Sequence, residues 1–178
     1  MSMDLSAATS FGAIAPKYNI ARRGYASEAI LFALDGIKSS DRVLDLASGP
    51  GLLASQVLQT LPGLQVVALD LDQRMLDQIR AQGRLSGVAP IQARAEGLPF
   101  KNGSFDLVMI GTGYHWFERS DTDPEIARIL RPGGRVVALW DSIDKSVAPL
   151  PMSKLWNSAR QRGSNFAGGT QNGAPLKG

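Results

Sequence analysis

Residues Val43-Leu-Asp-Leu46 form a short apolar run that carries one acid, Asp45, and leads through Ala47-Ser-Gly-Pro-Gly51 into Leu52-Leu-Ala54. A buried strand, a glycine turn and the start of a helix, compressed into twelve residues, constrain the whole chain. Such a strand has to be covered on both faces, and its turn has to lie where strand ends meet helix starts. Gly49 and Gly51 let a ligand approach the backbone, and the helix N-terminus that follows favours negative charge. Taken alone, G-x-G-x-x-A is a weak signal shared with dinucleotide-binding domains.

The same alternation continues along the chain. Ala29, Ile30, Ala33, Leu34 and Ile37 recur at helical spacing between Tyr25 and Ile37, ahead of the first strand at 42–47. Helix 51–61 is broken by Pro62-Gly63, and Leu64 to Asp70 reads as a second strand closed by an acid. Asp72 caps a helix that runs to about Gln82 on Met75, Leu76 and Ile79, and Pro90 to Ala93 is a short third strand. Phe105 to Ile110 is the fourth strand, opening into Gly111-Thr-Gly-Tyr-His-Trp-Phe117. Asp123-Pro124 predicts an N-cap with proline at the first helical position, Arg131-Pro-Gly-Gly134 a stop, and Arg135 to Trp140 a fifth strand. Strands alternating with helices predict an α/β fold, a Rossmann-like three-layer αβα sandwich with a mostly parallel sheet. Ligands in such sheets bind beyond the carboxyl ends of the strands.

Composition removes several alternatives. The 178 residues suit one domain, and no stretch reaches the roughly 18 consecutive apolar residues of a membrane span. The N-terminus lacks a secretory pattern, so the expected location is cytoplasmic. With no cysteine and one histidine, a metal centre is not expected. The net charge of +3 is concentrated late, in Lys145, Lys154, Arg160, Arg162 and Lys177, but no aromatic residues interleave there as they do on nucleic-acid platforms. Neither a nucleic acid nor a membrane is therefore expected as partner.

Asp45, four residues before Gly49, separates this loop from a nicotinamide-binding fingerprint, in which the glycine turn follows an uncharged strand almost directly. The D-x-x-x-G-x-G spacing, with the later segments, resembles the class I S-adenosylmethionine-dependent methyltransferases of Rossmann-like fold, in their type 11 group. The resemblance covers roughly Phe11 to Trp140. Asp45-Leu-Ala-Ser-Gly-Pro-Gly51 is similar to the family's first motif, with Ala47 where many members carry glycine. Asp70, with Leu71 beside it, resembles the acid that takes both ribose hydroxyls, a task suited to a group that only accepts. Ala95-Glu-Gly-Leu-Pro-Phe100 and Ser104-Phe-Asp-Leu-Val108 are similar to the "AE-LPF … SFD-V" signature whose first part lies along the adenine. Arg94 departs from the family's Asp there. Ile126 to Gly134 resembles the segment before strand five, a marker of fold.

Phe11 to Arg22, followed by Tyr25, together with His115-Trp-Phe117, is similar to the trans-aconitate methyltransferase-like proteins. The resemblance implies that Tyr18 and Arg22 cover the cofactor and take its carboxylate, for which a planar guanidinium is suited. The implied cofactor set is Tyr18, Arg22, Asp45, Ala47, Gly49, Gly51, Asp70, Leu71, Ala95, Glu96 and Gly111. The implied substrate set is Tyr114, His115 and Trp116, with His115 also the candidate catalytic base. The cofactor is S-adenosyl-L-methionine, the product S-adenosyl-L-homocysteine, and the acceptor a small molecule. The residues themselves leave other roles open. Asp45 and Asp70 also suit helix caps or loop-holding acceptors, Glu96 a solvated surface, His115 packing or substrate positioning, and Tyr114 and Trp116 loop anchors.

The expected layout is a flexible arm at 1–15, a methyltransferase domain at 16–162 with its core at 41–141, and a disordered tail at 163–178. After Trp140 only Pro151 to Arg162 has helical character, so the family's last strands are expected to be missing and the fifth strand to be an exposed edge. That edge suits a homodimer. Two other functions stay open: a non-catalytic S-adenosylmethionine-binding protein and, with Asp45 against it, a nicotinamide-dependent oxidoreductase.

Overall fold

The computed structural model describes residues 24–140, the Arg84 side chain apart. Tyr18, Arg22, the arm at 1–15, the helix expected at Pro151 to Arg162, the late basic residues and the tail at 163–178 all lie outside the described residues.

Helix α1 (Ser27–Leu34) precedes strand β1 (Arg42–Leu46) and helix α2 (Leu52–Thr60). Strand β2 (Gln65–Asp70) leads to helix α3 (Gln73–Ala81) and strand β3 (Val88–Gln92). Strand β4 (Phe105–Gly111), helix α4 (Arg119–Ile129) and strand β5 (Leu130–Leu139) follow. The strands form one sheet in the order β3-β2-β1-β4-β5, and every pairing is parallel. The order reverses between β1 and β4, and sheets of this kind bind ligands beyond the carboxyl ends of the strands at such a point.

Side-chain alternation along β1 builds the layers. Val43 packs with Ile30, Ala54, Val57, Leu76 and Ile79 of α1, α2 and α3, whereas Leu44 and Leu46 pack with Ile126 and Ile129 of α4. Both faces are thus covered, and each fully buried leucine or isoleucine contributes about 1.5–3 kcal/mol. Asp45 points to the same face as Val43, towards the start of α2.

Residues 93–104 cross from β3 to β4 without helix or strand. Glu125 and Arg128 of α4 hold this stretch instead. The Leu98 N–H donates to Glu125 Oε2 at 2.8 Å, and Arg128 donates to the carbonyls of Leu98 and Phe100 at 2.9 and 2.6 Å. The segment before strand five, marked in the sequence as a sign of fold, is therefore the clasp of the Leu98-Pro-Phe100 segment.

Three boundaries differ from the sequence reading. Helix α4 starts at Arg119, so Asp123 is not its N-cap and Pro124 lies inside it. The Glu118 carbonyl opens the helix by accepting from the N–H groups of Asp121 and Thr122, while the Asp123 carboxylate is engaged by Tyr114 and Arg119. Strand β5 starts at Leu130 and not at Arg135. Phe105 pairs with Leu130 and Leu107 with Arg135, so Arg131-Pro-Gly-Gly134 is a bulge within the strand, with Gly133 at φ +82°. Strand β3 starts at Val88, ahead of Pro90, which its place at the sheet edge tolerates.

Candidate functional site

The loop between β1 and α2 is fixed from three sides. The Ser48 N–H donates to the Leu69 carbonyl at 3.0 Å, the Gly49 N–H to Asp70 Oδ2 at 2.8 Å, and Gln82 Nε2 to the Pro50 carbonyl at 3.0 Å. Ala47, Gly49 and Gly51 all have left-handed φ, of 57°, 55° and 83°. The two glycines serve different ends. A Cβ on Gly51 would stand 2.9 Å from Ile79 and Leu85, so this residue lets α3 approach, whereas space beside Gly49 is open.

Asp45 and Asp70 frame the loop. Asp45 is 2% exposed, and its Oδ2 accepts the Ala54 N–H at 3.0 Å, serving an orphan donor in the first turn of α2 from outside the helix. Its Oδ1 is buried with no hydrogen-bond partner. Burial pushes its pKa up to about 7, the Ala54 N–H opposing and the Asp70 charge adding. Burial likewise raises the Asp70 carboxyl above its ordinary value, against the N–H groups of Asp72 and Gly49 that lower it. Asp70 Oδ1 accepts the Asp72 N–H at 2.9 Å, so one carboxylate joins the turns after β1 and β2. Each oxygen retains capacity for a further donor.

Around this pair, Gln92 Nε2 donates to the Leu71 carbonyl at 3.0 Å, and the Ala93 N–H to the Asp70 carbonyl at 3.2 Å, which brings the turn after β3 alongside. Ala95 is buried in the core under α4. Glu96 pairs with Arg94 at 3.3 Å with its own side chain 16% exposed, so it is neither fully solvated nor free of partner.

Gly111 ends β4 beneath Tyr25: a Cβ on Gly111 would overlap the Tyr25 hydroxyl and stand 2.9 Å from its Cζ. The Tyr25 and Thr112 hydroxyls lie 3.2 Å apart, and Thr112 has φ +53°, a strained value for a β-branched residue. Gln56 of α2 fixes Tyr25 by accepting its N–H at 2.9 Å and donating to its carbonyl at 2.8 Å. Tyr25 was read only as part of a motif and Gln56 not at all. The signal for the pair was a lone glycine ending an apolar strand, which asks what replaces its side chain.

The turn Tyr114–Trp116 follows β4. The Tyr114 hydroxyl donates to Asp123 Oδ1 at 2.8 Å, and Arg119 lies 5.3 Å over its ring. Burial and that bond raise the phenol's pKa, so it stays a neutral donor. These contacts match the loop-anchor role left open for Tyr114. The His115 ring is exposed, 5.0 Å from that of Trp116. Asp45, Ala47, Gly49, Gly51, Asp70, Leu71 and Gly111 all lie at or just beyond the carboxyl ends of β1, β2 and β4, with Glu96 in the stretch after β3 and His115 in the turn after β4. Among the described residues no group of three or more His, Asp or Glu side chains is placed to hold a metal, and no helix is long and apolar enough to cross a membrane.

A family described as "Methyltransferase domain" matches residues 43–134, just over half of the chain, and the chain belongs to that family. It is 37% identical over 136 residues to an uncharacterized methyltransferase of Mycobacterium tuberculosis, covering 76% of this chain and 54% of the relative. It is 36% identical over 140 residues to a demethylmenaquinone methyltransferase of Thermus thermophilus, covering 72% and 63%. The chain therefore spans about half to three fifths of the length of these relatives. Among solved structures it resembles a chain of the complex between the Haloferax volcanii Trm112 methyltransferase activator and a methyltransferase. The TM-score there is 0.64 at 24% identity, over 72% of this chain and 56% of that one.

Proposed function

We propose that this chain binds S-adenosyl-L-methionine in the crevice between Gly49, Asp45 and Asp70 and transfers its methyl group to a small-molecule acceptor. The observation that carries the reading is the Asp70 carboxylate, held at the end of β2 by the Gly49 and Asp72 N–H groups with acceptor capacity to spare. Two ribose hydroxyls are the donors it suits. The open space beside Gly49, together with the buried, half-partnered Asp45, fits a ligand that lies on the loop and carries positive charge. The Ala95-Glu96 segment would line the base, and Tyr18 and Arg22 the carboxylate end.

When bound, S-adenosyl-L-methionine would supply an activated methyl group to an oxygen, nitrogen or carbon of the acceptor, with S-adenosyl-L-homocysteine as the group left behind. The residues of this chain contribute alignment and exclusion of water. The exposed His115 and the half-buried Trp116, on the turn after β4, are the side chains proposed to meet the acceptor, and His115 would take a proton on a ring nitrogen where the acceptor must lose one. Among the described residues β5 pairs with β4 alone, which supports its free edge as the place where a second copy would add.

Calorimetry with S-adenosylmethionine against dinucleotides, followed by incubation with methyl-labelled cofactor and a panel of small acids, phenols, amines and a demethylated quinone, tests the reading. Methyl transfer to one class supports it. Binding without transfer favours the non-catalytic binder, and binding of a dinucleotide alone overturns it.

A further inference from the structure

We propose that Asp45 carries a proton in the ligand-free site and gives it up when a cationic group of the ligand settles over the glycine loop. Ligand uptake and deprotonation are then one linked event. The inference rests on the cofactor reading above and adds a proton to it.

The geometry makes the protonated state the resting one. Asp45 sits in the central strand, in register with Ala68 of β2 and Met109 of β4, and is 2% exposed. Its carboxyl group receives one N–H, from Ala54, and its other oxygen has neither a partner nor contact with solvent. An ionised carboxylate in such surroundings lacks most of the donors it would have in water, and a proton removes that penalty.

Among the described residues, the groups that face Asp45 do not restore the charged form. From β2 comes Asp70, a second acid, whose charge opposes ionisation. Strand β4 brings only Met109, Ile110 and Gly111 at this level, and its Asp106 is engaged by Arg131 at the other end of the strand. The first turn of α2 offers Leu52, Leu53 and Ala54, hence backbone N–H groups and no side-chain charge. From ahead of α1 comes the Tyr25 phenol over Gly111, and at the start of α3 Asp72 is paired with Arg74 at 2.7 Å. Among the described residues no cation pairs with Asp45. The rise of its pKa to about 7 agrees with this arrangement.

A cation above Gly49 supplies what the site lacks. The Asp45 O–H bond breaks, the electron pair stays on the carboxylate and the proton passes to buffer, with no redox change. S-adenosylmethionine carries a sulfonium and an ammonium, S-adenosylhomocysteine the ammonium alone, and methylthioadenosine neither. Because binding lowers the pKa of Asp45, affinity is weakest in acid and tightens as pH rises towards about 7, by up to about tenfold per unit. This window lies below the titration of the ligand's own amino group.

The test is calorimetry on the full chain at pH 6.5 in two buffers of different ionisation heat, with all three ligands. The expected result is release of about half a proton or more with S-adenosylmethionine. Release with S-adenosylhomocysteine as well assigns the effect to the ammonium, and its absence there to the sulfonium. Release with methylthioadenosine overturns the proposal. Asp45→Asn, which keeps an acceptor for Ala54, should bind with no release and a flat pH profile. If that variant still releases the proton, the proton belongs to Asp70 and the proposal fails. Infrared difference spectra of the wild type, which need no variant, should lose a buried carboxylic-acid C=O band on binding, and an unchanged band overturns the proposal. Tight binding without proton release refutes this inference alone, whereas no binding at any pH refutes the cofactor reading with it.

Discussion

Ala47 and Gly113 meet where the turns after β1 and β4 come together: a Cβ on Gly113 would stand 3.0 Å from the Ala47 Cβ. One methyl group occupies the gap between the two turns, and each turn carries a non-glycine residue at positive φ, Ala47 in one and Thr112 in the other.

Ala47→Gly should therefore stabilise the protein slightly. Relief of a left-handed alanine contributes about 1–2 kcal/mol, and the greater freedom of glycine in the unfolded chain offsets about 0.4–1 kcal/mol of it. Urea denaturation should show a net gain of up to about 1.6 kcal/mol. Gly113→Ala, which crowds the same gap, should lose about 1–3 kcal/mol.

Asp70→Ala removes the acceptor of two N–H groups as well as the proposed ribose ligand. Calorimetry should find S-adenosylmethionine binding reduced beyond detection, and thermal melts a loss of about 1–3 kcal/mol as Gly49 and Asp72 lose their partner. Near-normal affinity would count against the whole site.

Gly111→Ala sets a methyl group against the Tyr25 ring. It should cost about 1–3 kcal/mol by overpacking. Tyr25→Ala in the same chain should recover part of that loss, so a double-mutant cycle in urea should return a coupling clearly different from zero.

Glu125 lies beside Arg128, whose guanidinium holds its carboxyl down at about 2 from an ordinary 4.5. A depressed pKa stabilises the fold above the unfolded value and loses that effect as pH falls through the folded one. Glu125→Gln should cost about 1 kcal/mol at neutral pH, given partial exposure. Melts taken at descending pH should show the gap to wild type shrinking below about 4.5 and closing towards about 2.

The strands were legible because burial on both faces leaves continuous apolar runs such as Leu107 to Ile110, which few other elements accept. The start of α4 was not, since Asp123-Pro124 is a strong local cap signal, and it lost to an earlier start at Arg119 in which Asp123 serves Tyr114 of the preceding turn and Arg119 one helical turn back. Nor was the bulge at Arg131 to Gly134, where composition shows a turn but not that pairing resumes beyond it. In the site, the positions of Asp45 and Asp70 could be read from their place at strand ends. Their partners could not, because Ala54 and Gly49 offer backbone groups that carry no mark in the sequence. Tyr25 over Gly111 joins residues remote in the chain and was equally silent.

The clasp of Glu125 and Arg128 also sets a clock. Leu98 lies in a stretch with neither helix nor strand, where amide hydrogens ordinarily exchange with water quickly. Its N–H is bound to Glu125 and its carbonyl to Arg128, both on α4, and its side chain is 4% exposed. Its hydrogen can leave only when this contact with α4 opens, so the wall proposed for the adenine should keep the rhythm of the helix behind it and not that of a loop.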